Sequence, residues 1–231
     1  MISIPLFLDD AHPCSYLEKR NAQFAYVHPE FELSTDLYSA LIDQGFRRSG
    51  NYTYQTQCSD CNACISTKLS IQDFKPSRQQ RRVLKKNVDV QVNIKPSTFD
   101  DKHFDLYQRY LSSRHADGVM GESTKEDYLS FFGSQWCDTY FVEFLIADEL
   151  AAVAVIDHLN NALSAVYTFF DDKFSARSLG VYAVLWQIEH AKSLQLENLY
   201  LGYWVQDCQK MSYKTNYQPL QGLIEQQWQD I

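Results

Sequence analysis

Three apolar runs stand almost back to back in this chain: 139–147 (TYFVEFLIA), 150–158 (LAAVAVIDH) and 162–169 (ALSAVYTF). Their separators, Asp148-Glu149 and Asn160-Asn161, are turn residues. A parallel neighbour needs a crossover of about a dozen residues or more, so the runs are predicted to pair antiparallel, as a meander. The next stretch, 178–193, changes period. Val181, Leu185, Ile188 and Ala191 form a helical stripe that Tyr182 and Trp186 widen, with Ser178 as the predicted cap. A strand over 197–203, a helical turn near 206–212 and a tail carrying Leu223, Ile224 and Trp228 complete this half. Strands and helices in this order make an α+β chain.

The first half reads as shorter elements. A strand is predicted over 2–8, and a helix runs from Ser34 through Leu37, Leu41 and Ile42 to a stop at Gly45. The alternation Tyr52, Tyr54, Thr56 then delivers the chain to Cys58, Cys61 and Cys64. Thiolates at this spacing can turn toward one centre, and Cys14 is the natural fourth ligand of a tetrahedral zinc or iron–sulfur site. A reduced set of packing cysteines and a transient redox pair are the alternative readings of the same residues.

Residues 68–95 hold eight Lys or Arg against Asp73 and Asp89. A helix capped by Ser77 would place Arg78, Arg81, Arg82, Lys85 and Lys86 on one broad face. That face is either simply solvated, matched by the protein's own carboxylates, or a surface for a polyanion such as RNA. Pro96, Ser97 and Thr98 then break the pattern. A small N-terminal cysteine-containing domain over 1–95 and a second domain over 96–231 are expected, with a new helix from about Asp101 and a capping box at Ser123 and Glu126.

The formal net charge of −8 argues against a protein that coats DNA. No stretch approaches 18 consecutive apolar residues, and MISIPLFLDD meets two aspartates before any signal-like core. A cytoplasmic chain with no membrane partner is the expectation. The chain lacks the glycine-rich dinucleotide fingerprint, the phosphate-binding loop, the H-E-x-x-H zinc motif and the G-x-S-x-G nucleophile elbow. Polar residues gather instead in two places, Asp171 to Ser178 ahead of the long helix, and Lys210, Tyr213, Lys214 and Asn216 after the following strand. Loops beyond strand ends are where a site is expected.

Several strings are specific. Gly45-Phe46-Arg47-Arg48-Ser49-Gly50, then Tyr54 and the three cysteines, then Phe74-Lys75-Pro76-Ser77-Arg78-Gln79-Gln80-Arg81-Arg82 resemble the N-terminal region of the arginyl-tRNA–protein transferases. Within that family, the bacterial aspartate/glutamate leucyltransferases are the more similar branch. Thr168-Phe169-Phe170-Asp171, Ser178-Leu179-Gly180, Leu201-Gly202-Tyr203-Trp204 and Lys210-Met211-Ser212-Tyr213-Lys214 continue the resemblance in the same order. Cys14-Ser15-Tyr16-Leu17 departs from the eukaryotic members, which carry a Cys-x-x-Cys pair there.

The resemblance implies an acetyltransferase-like (GNAT-type) second domain, in agreement with the element order, with aminoacyl-tRNA in the place of acetyl-CoA. It implies transfer of leucine from leucyl-tRNA to the N-terminal amine of proteins beginning with Asp or Glu, marking them for degradation, with no cofactor required. Arginine as donor, a non-catalytic tRNA- or protein-binding module and a coenzyme A acetyltransferase are the competing readings. Expected roles follow. Arg78, Arg81, Arg82, Lys85 and Lys86 carry the donor RNA. Arg47, Arg48, Arg177 and Lys210 are candidates for the acceptor's carboxylate. Tyr203 and Tyr213 border the reacting carbonyl, and Asp171 orients the amine.

Overall fold

In the computed structural model, residues 3–114 and 124–231 are described. Strands β1 (Leu6–Leu8), β2 (His12–Pro13), β3 (Asn21–Ala22) and β4 (Phe24–Val27) precede helix α1 (Thr35–Asp43). Strands β5 (Arg47–Ser49), β6 (Tyr52–Thr56) and β7 (Ile65–Ser70) lead to α2 (Arg78–Lys86) and β8 (Gln91–Pro96). Helices α3 (Asp101–Arg114) and α4 (Lys125–Phe132) come before β9 (Asp138–Ile146), β10 (Glu149–His158) and β11 (Ala162–Phe170). Helix α5 (Leu179–Ser193), β12 (Asn198–Trp204), β13 (Leu220–Ile224) and β14 (Gln227–Asp230) close the chain. Short 3-10 segments span Asp172–Arg177 and Gln209–Asn216.

The meander forms as the short separators require. β10 pairs antiparallel with β9 on one side and with β11 on the other. Its run is continuously apolar because both faces are covered, and the two-residue period of a strand sorts the side chains. Ala152, Ala154 and Ile156 pack with Leu179, Ala183 and Ile188 of α5. Val153 and Val155 join an aromatic cluster of Tyr107, Tyr128, Phe132, Phe141 and Phe169 under α3 and α4. The rings of that cluster meet mostly edge to face, for example Tyr107 and Phe132 with centroids 5.2 Å apart.

The eight-stranded sheet runs β14-β13-β7-β12-β11-β10-β9-β8. Two of its members, β7 and β8, come from the first part of the chain. β7 pairs with both β12 and β13, so the cysteine segment leads directly into the sheet that holds the second polar cluster. The sequence boundary near residue 95 therefore does not separate two sheets. β1, β4, β6 and β5 make a smaller sheet, and α1 packs with Cys137, Leu159 and Tyr200 beside it. β5 is bolted to β10 by a buried ion pair. The Arg48 guanidinium donates Nε to Asp157 at 2.7 Å and Nη2 to the other carboxylate oxygen, to Thr139 and to the Phe132 carbonyl.

Two local expectations are corrected. Ser178 stands at the N-cap of α5, but its backbone is left-handed with φ 55° and its side chain makes no cap bond. A 3-10 segment capped by Asp171 fills the turn before it. The helical turn after β12 lies at Gln209–Asn216, later than the 206–212 expected. Ser123 lies outside the described residues; α4 is capped by Thr124 in a reciprocal pair with Asp127. The Ser77 cap of α2 is present as a capping box with Gln80.

One irregularity opens the sheet. The parallel strands β11 and β12 share a register of only three pairs, Ala162↔Asn198 to Ser164↔Tyr200. Beyond it β11 continues with β10, and β12 continues with β7. The β12–β7 register slips between Tyr200 and Gly202, a bulge that redirects the strand.

Candidate functional site

The bulge places Gly202 in a left-handed conformation, φ 81°, which glycine adopts without strain. A Cβ here would sit 3.2 Å from Nη2 of Arg47 and 3.5 Å from Nζ of Lys214. A guanidinium and an amine thus converge over one stretch of bare main chain. Arg47 comes from β5 and is 9 % exposed; Lys214, in the 3-10 segment after β12, is 6 % exposed. Lys214 donates to the Tyr203 carbonyl. The Tyr203 hydroxyl donates to the Gly45 carbonyl at 3.2 Å and accepts from the Thr56 amide at 3.3 Å, so it is tied into the scaffold. Tyr213 is 45 % exposed at the rim, with its ring centroid 5.9 Å from the Lys214 ammonium.

Burial, reinforced by the Arg47 charge, lowers the Lys214 pKa from 10.5 to about 7. An unfolded chain would hold that proton to higher pH. The unfolded state therefore binds more protons between about pH 7 and the ordinary lysine value, and stability rises with pH across that window. Relative to a Lys214→Met variant, the parent is expected to gain about 2 kcal/mol between pH 7 and pH 9. Urea unfolding at the two pH values measures this. Parallel pH dependences in the two proteins would refute a buried, neutralised lysine.

The remaining sequence candidates are distributed differently. Arg48 is withdrawn from any acceptor-binding role, because its donors are spent inside the protein on Asp157, Thr139 and the carbonyls of Gly50 and Phe132. Arg177 forks onto Asp89 at 2.7 and 2.8 Å and also donates to the Lys86 carbonyl, joining the end of α2 to the approach to α5. Asp171 caps the 3-10 segment through the Lys173 amide and pairs with Arg109 at 3.1 Å, a partner that nothing in the sequence pattern identified. Lys210 is exposed. Arg47, Tyr203 and Tyr213 come together with Lys214; Asp171 and Arg177 belong to the β11–α5 junction.

The basic helix lies alongside. Arg78, Arg81, Arg82, Lys85 and Lys86 are all exposed. Among the described residues none of the five is in an ion pair, which removes the protein's own carboxylates as their partners. α2 is held by its polar inner side. Gln80 donates to the carbonyl of Asn216, at the end of the segment that carries Lys214, and Asn87 donates to the Arg177 carbonyl.

Cys14, Cys58, Cys61 and Cys64 line one small pocket with Tyr16, Leu17 and Val205. The amides of Tyr16 and Leu17 each donate to the Cys14 sulfur at 3.4 Å. Burial, then the thiols of Cys14, Cys58 and Cys61, pushes the Cys64 thiol up to about 12. Four soft donors sharing a pocket suit a thiophilic cation. A zinc site with Zn–S of ~2.3 Å needs sulfurs about 3.8 Å apart, and no three of these four sulfurs lie within 4.8 Å of one another. Among the described residues, the only three ligand-type side chains whose donor atoms lie within 4.8 Å of one another are Asp100, His103 and Glu143. That group is internally balanced, because Glu143 takes the Lys95 ammonium at 2.6 Å and His103 at 2.8 Å. No helix among the described residues is long and apolar enough to cross a membrane.

Comparison with known proteins adds the family. The profile described as arginine-tRNA-protein transferase, N terminus, matches residues 12–82, and the profile for the C terminus of the same transferase matches residues 102–224. The aspartate/glutamate leucyltransferase of Alcanivorax borkumensis is 48 % identical over 228 residues, covering 99 % of this chain and 94 % of the relative. That of Hahella chejuensis is 46 % identical, covering 94 % and 93 % of the two chains, and that of Pseudomonas aeruginosa is 43 % identical, covering 97 % and 96 %. Among solved structures, the L-PGS from Bacillus licheniformis matches with a TM-score of 0.44 and 11 % identity over 61 % of this chain and 45 % of that one, too distant to bear on function. With both halves of the transferase matched in order, and relatives above 40 % identity along nearly the whole length, this chain belongs to the arginine-tRNA-protein transferase family.

Proposed function

We propose that this protein is an aspartate/glutamate leucyltransferase, which moves leucine from leucyl-tRNA to the N-terminal amine of proteins beginning with Asp or Glu and so marks them for degradation. The observation that carries the reading is the convergence of Arg47, Lys214 and the bare main chain of Gly202 where β12 parts from β11, next to the unpaired basic face of α2. The similarity to named leucyltransferases along nearly the full chain supports leucine over arginine as donor.

The finer fold assignment is acetyltransferase-like. It is supported by a parallel strand pair that separates after three residues, with a long helix between its members in sequence. The aminoacyl end of the RNA would enter that opening. In this reading residues 1–95 supply the cysteines, Arg47 and the basic helix, and residues 96–231 supply the transfer surface.

The donor ester is already activated, so the protein's work is placement and charge stabilisation. A neutral α-amine must lie about 3 Å from the ester carbonyl while an oxyanion develops. An N-terminal amine with a pKa of ~7.7–8.0 is partly neutral at physiological pH and attacks without a strong base. The attack forms the new C–N bond, and collapse of the tetrahedral adduct expels the ribose hydroxyl. Tyr213 and Lys210 border that centre, while Tyr203 presents its backbone. Asp171 and Arg177 hold the entrance of α5 in place through Arg109 and Asp89. Zinc or an iron–sulfur cluster at Cys14, Cys58, Cys61 and Cys64 belongs to the same reading as a structural element, supported by the shared pocket and the amides on Cys14.

Transfer of radiolabelled leucine from leucyl-tRNA to matched peptides beginning Asp, Glu, Asn, Lys or Ala is the test, with arginyl-tRNA in parallel. Label on the Asp and Glu peptides from leucyl-tRNA is expected. Label from arginyl-tRNA alone would reverse the donor assignment. Absence of transfer by folded protein that binds tRNA would leave a binding module.

A further inference from the structure

Arg47 and Arg48 are adjacent in sequence and equally buried, yet their circumstances are opposite. Arg48 spends its donors on a carboxylate, a hydroxyl and main-chain carbonyls. The Arg47 side chain, among the described residues, has neither a hydrogen bond nor an ion pair, and its nitrogens are not sealed from solvent. A guanidinium is charged at every physiological pH and carries five donors. One that is nine-tenths buried and unpartnered is costly unless something outside the chain completes it.

Lys214 shares the position. It converges with Arg47 over Gly202 and gives one bond, to Tyr203, leaving donors to spare. The titratable groups facing the pair are the phenols of Tyr16, Tyr38, Tyr54, Tyr200, Tyr203 and Tyr213 and the thiols of Cys64 and Cys208. Burial pushes the phenols and the Cys64 thiol up, so none of these is an anion near neutral pH. A buried guanidinium without a counter-charge, beside a buried amine that can take up a proton, with the bare main chain of a glycine against both, makes an anion site.

We propose that Arg47 and Lys214 together read the side-chain carboxylate of the acceptor's N-terminal Asp or Glu, with Gly202 kept bare so that the carboxylate can approach both. The inference rests on the transferase reading given above. A carboxylate fits better than a backbone phosphate of the donor. It is small, planar and matched to the fork of a guanidinium, and it lies only a few bonds from the amine that must reach the β12 main chain. Lys214 gives the site a second property. Burial leaves its amine largely neutral above about pH 7, and an incoming carboxylate restores the ammonium, so acceptor binding takes up a proton.

The test measures kcat/KM on peptides beginning Asp, Glu, Asn and Gln for the parent, Arg47→Met, Lys214→Met and Lys214→Arg. The parent is expected to prefer the acidic member of each isosteric pair by about 10–100-fold or more, as charge-assisted contacts allow. Each Met variant should collapse that ratio toward unity through the acceptor KM, with the KM for leucyl-tRNA unchanged. Lys214→Arg should restore part of the preference and flatten the rise of acceptor KM above pH 7. A Met variant that keeps the parent's preference, or one that raises the leucyl-tRNA KM instead, overturns the carboxylate reader and points to a phosphate contact. A parent that transfers no leucine overturns the transferase reading itself, and one that transfers leucine without acidic preference overturns the carboxylate reader; both are recognised before any variant is made. Should Arg47→Met fail to fold, Lys214→Met decides, because removing a buried amine relieves desolvation.

Discussion

Replacing Arg48 with Met is expected to lower the unfolding free energy by about 3–5 kcal/mol, a large share of the 5–15 kcal/mol typical of a folded domain. The magnitude comes from what stays behind. Asp157 is fully buried, and its two oxygens are held by Arg48 and Thr139. Without the guanidinium, a carboxylate remains in the core with one hydroxyl donor, and the carbonyls of Gly50 and Phe132 lose their bonds as well. Asp157→Leu alone should be comparably damaging, since it strands the cation instead. The double variant Arg48→Met/Asp157→Leu should recover most of the loss, because two apolar groups leave no unpaired charge. Urea unfolding with unchanged m-values reads all three. A single-variant cost below about 1 kcal/mol would sink this account of the pair.

Neutralising the exposed face of α2 is the second large effect. In Arg78→Gln/Arg81→Gln/Arg82→Gln/Lys85→Gln, four charges without a carboxylate partner are removed, Arg81 losing only its bond to the nearby Pro76 carbonyl, while Lys86 is kept because it ties α2 to the Ala176 carbonyl at 2.8 Å. If the face carries the donor RNA, affinity for tRNA at about 0.1 M salt should fall by at least 10–100-fold, and the slope of log affinity against log salt should shrink by roughly 3 units. Turnover at saturating leucyl-tRNA should be preserved, because none of the four reaches the Gly202 site. The fold should not suffer, since like charges at i and i+4 repel in the free protein. An unchanged salt slope would remove the RNA from this helix.

Much of the architecture was legible because it follows from local rules. Apolar runs joined by two-residue turns have no alternative to antiparallel pairing, and the stripe of Val181, Leu185, Ile188 and Ala191 has no strand-like period. The Ser77 cap was legible for the same reason, a side chain three residues from the amide it satisfies. Ser178 misled because a serine before an apolar stripe is a good cap only if its backbone is extended. Here Asp171 opens a 3-10 segment first, and the chain reaches α5 through a left-handed turn.

The candidate site was legible only in part. Arg47, Tyr203 and Tyr213 stand out in the sequence and lie together in the fold, yet Arg47 and Arg48 are indistinguishable as neighbours in a basic string. Which of them is free depends on Asp157, 109 positions away, and no local pattern encodes that pairing. Arg109 on Asp171 and Asp89 on Arg177 were hidden for the same reason.

The sequence by itself determined the α+β class, the meander, the long helix, the basic helix and the family, because periodicity, capping and specific strings are properties of neighbours along the chain. Only the tertiary structure decided that β7 enters the sheet between β13 and β12, that β11 and β12 part after three residue pairs, and that Lys214 loses its ordinary charge beside an unpaired Arg47. Those outcomes depend on burial and on charges brought together from distant positions, and desolvation acts on a group only once the fold has closed around it.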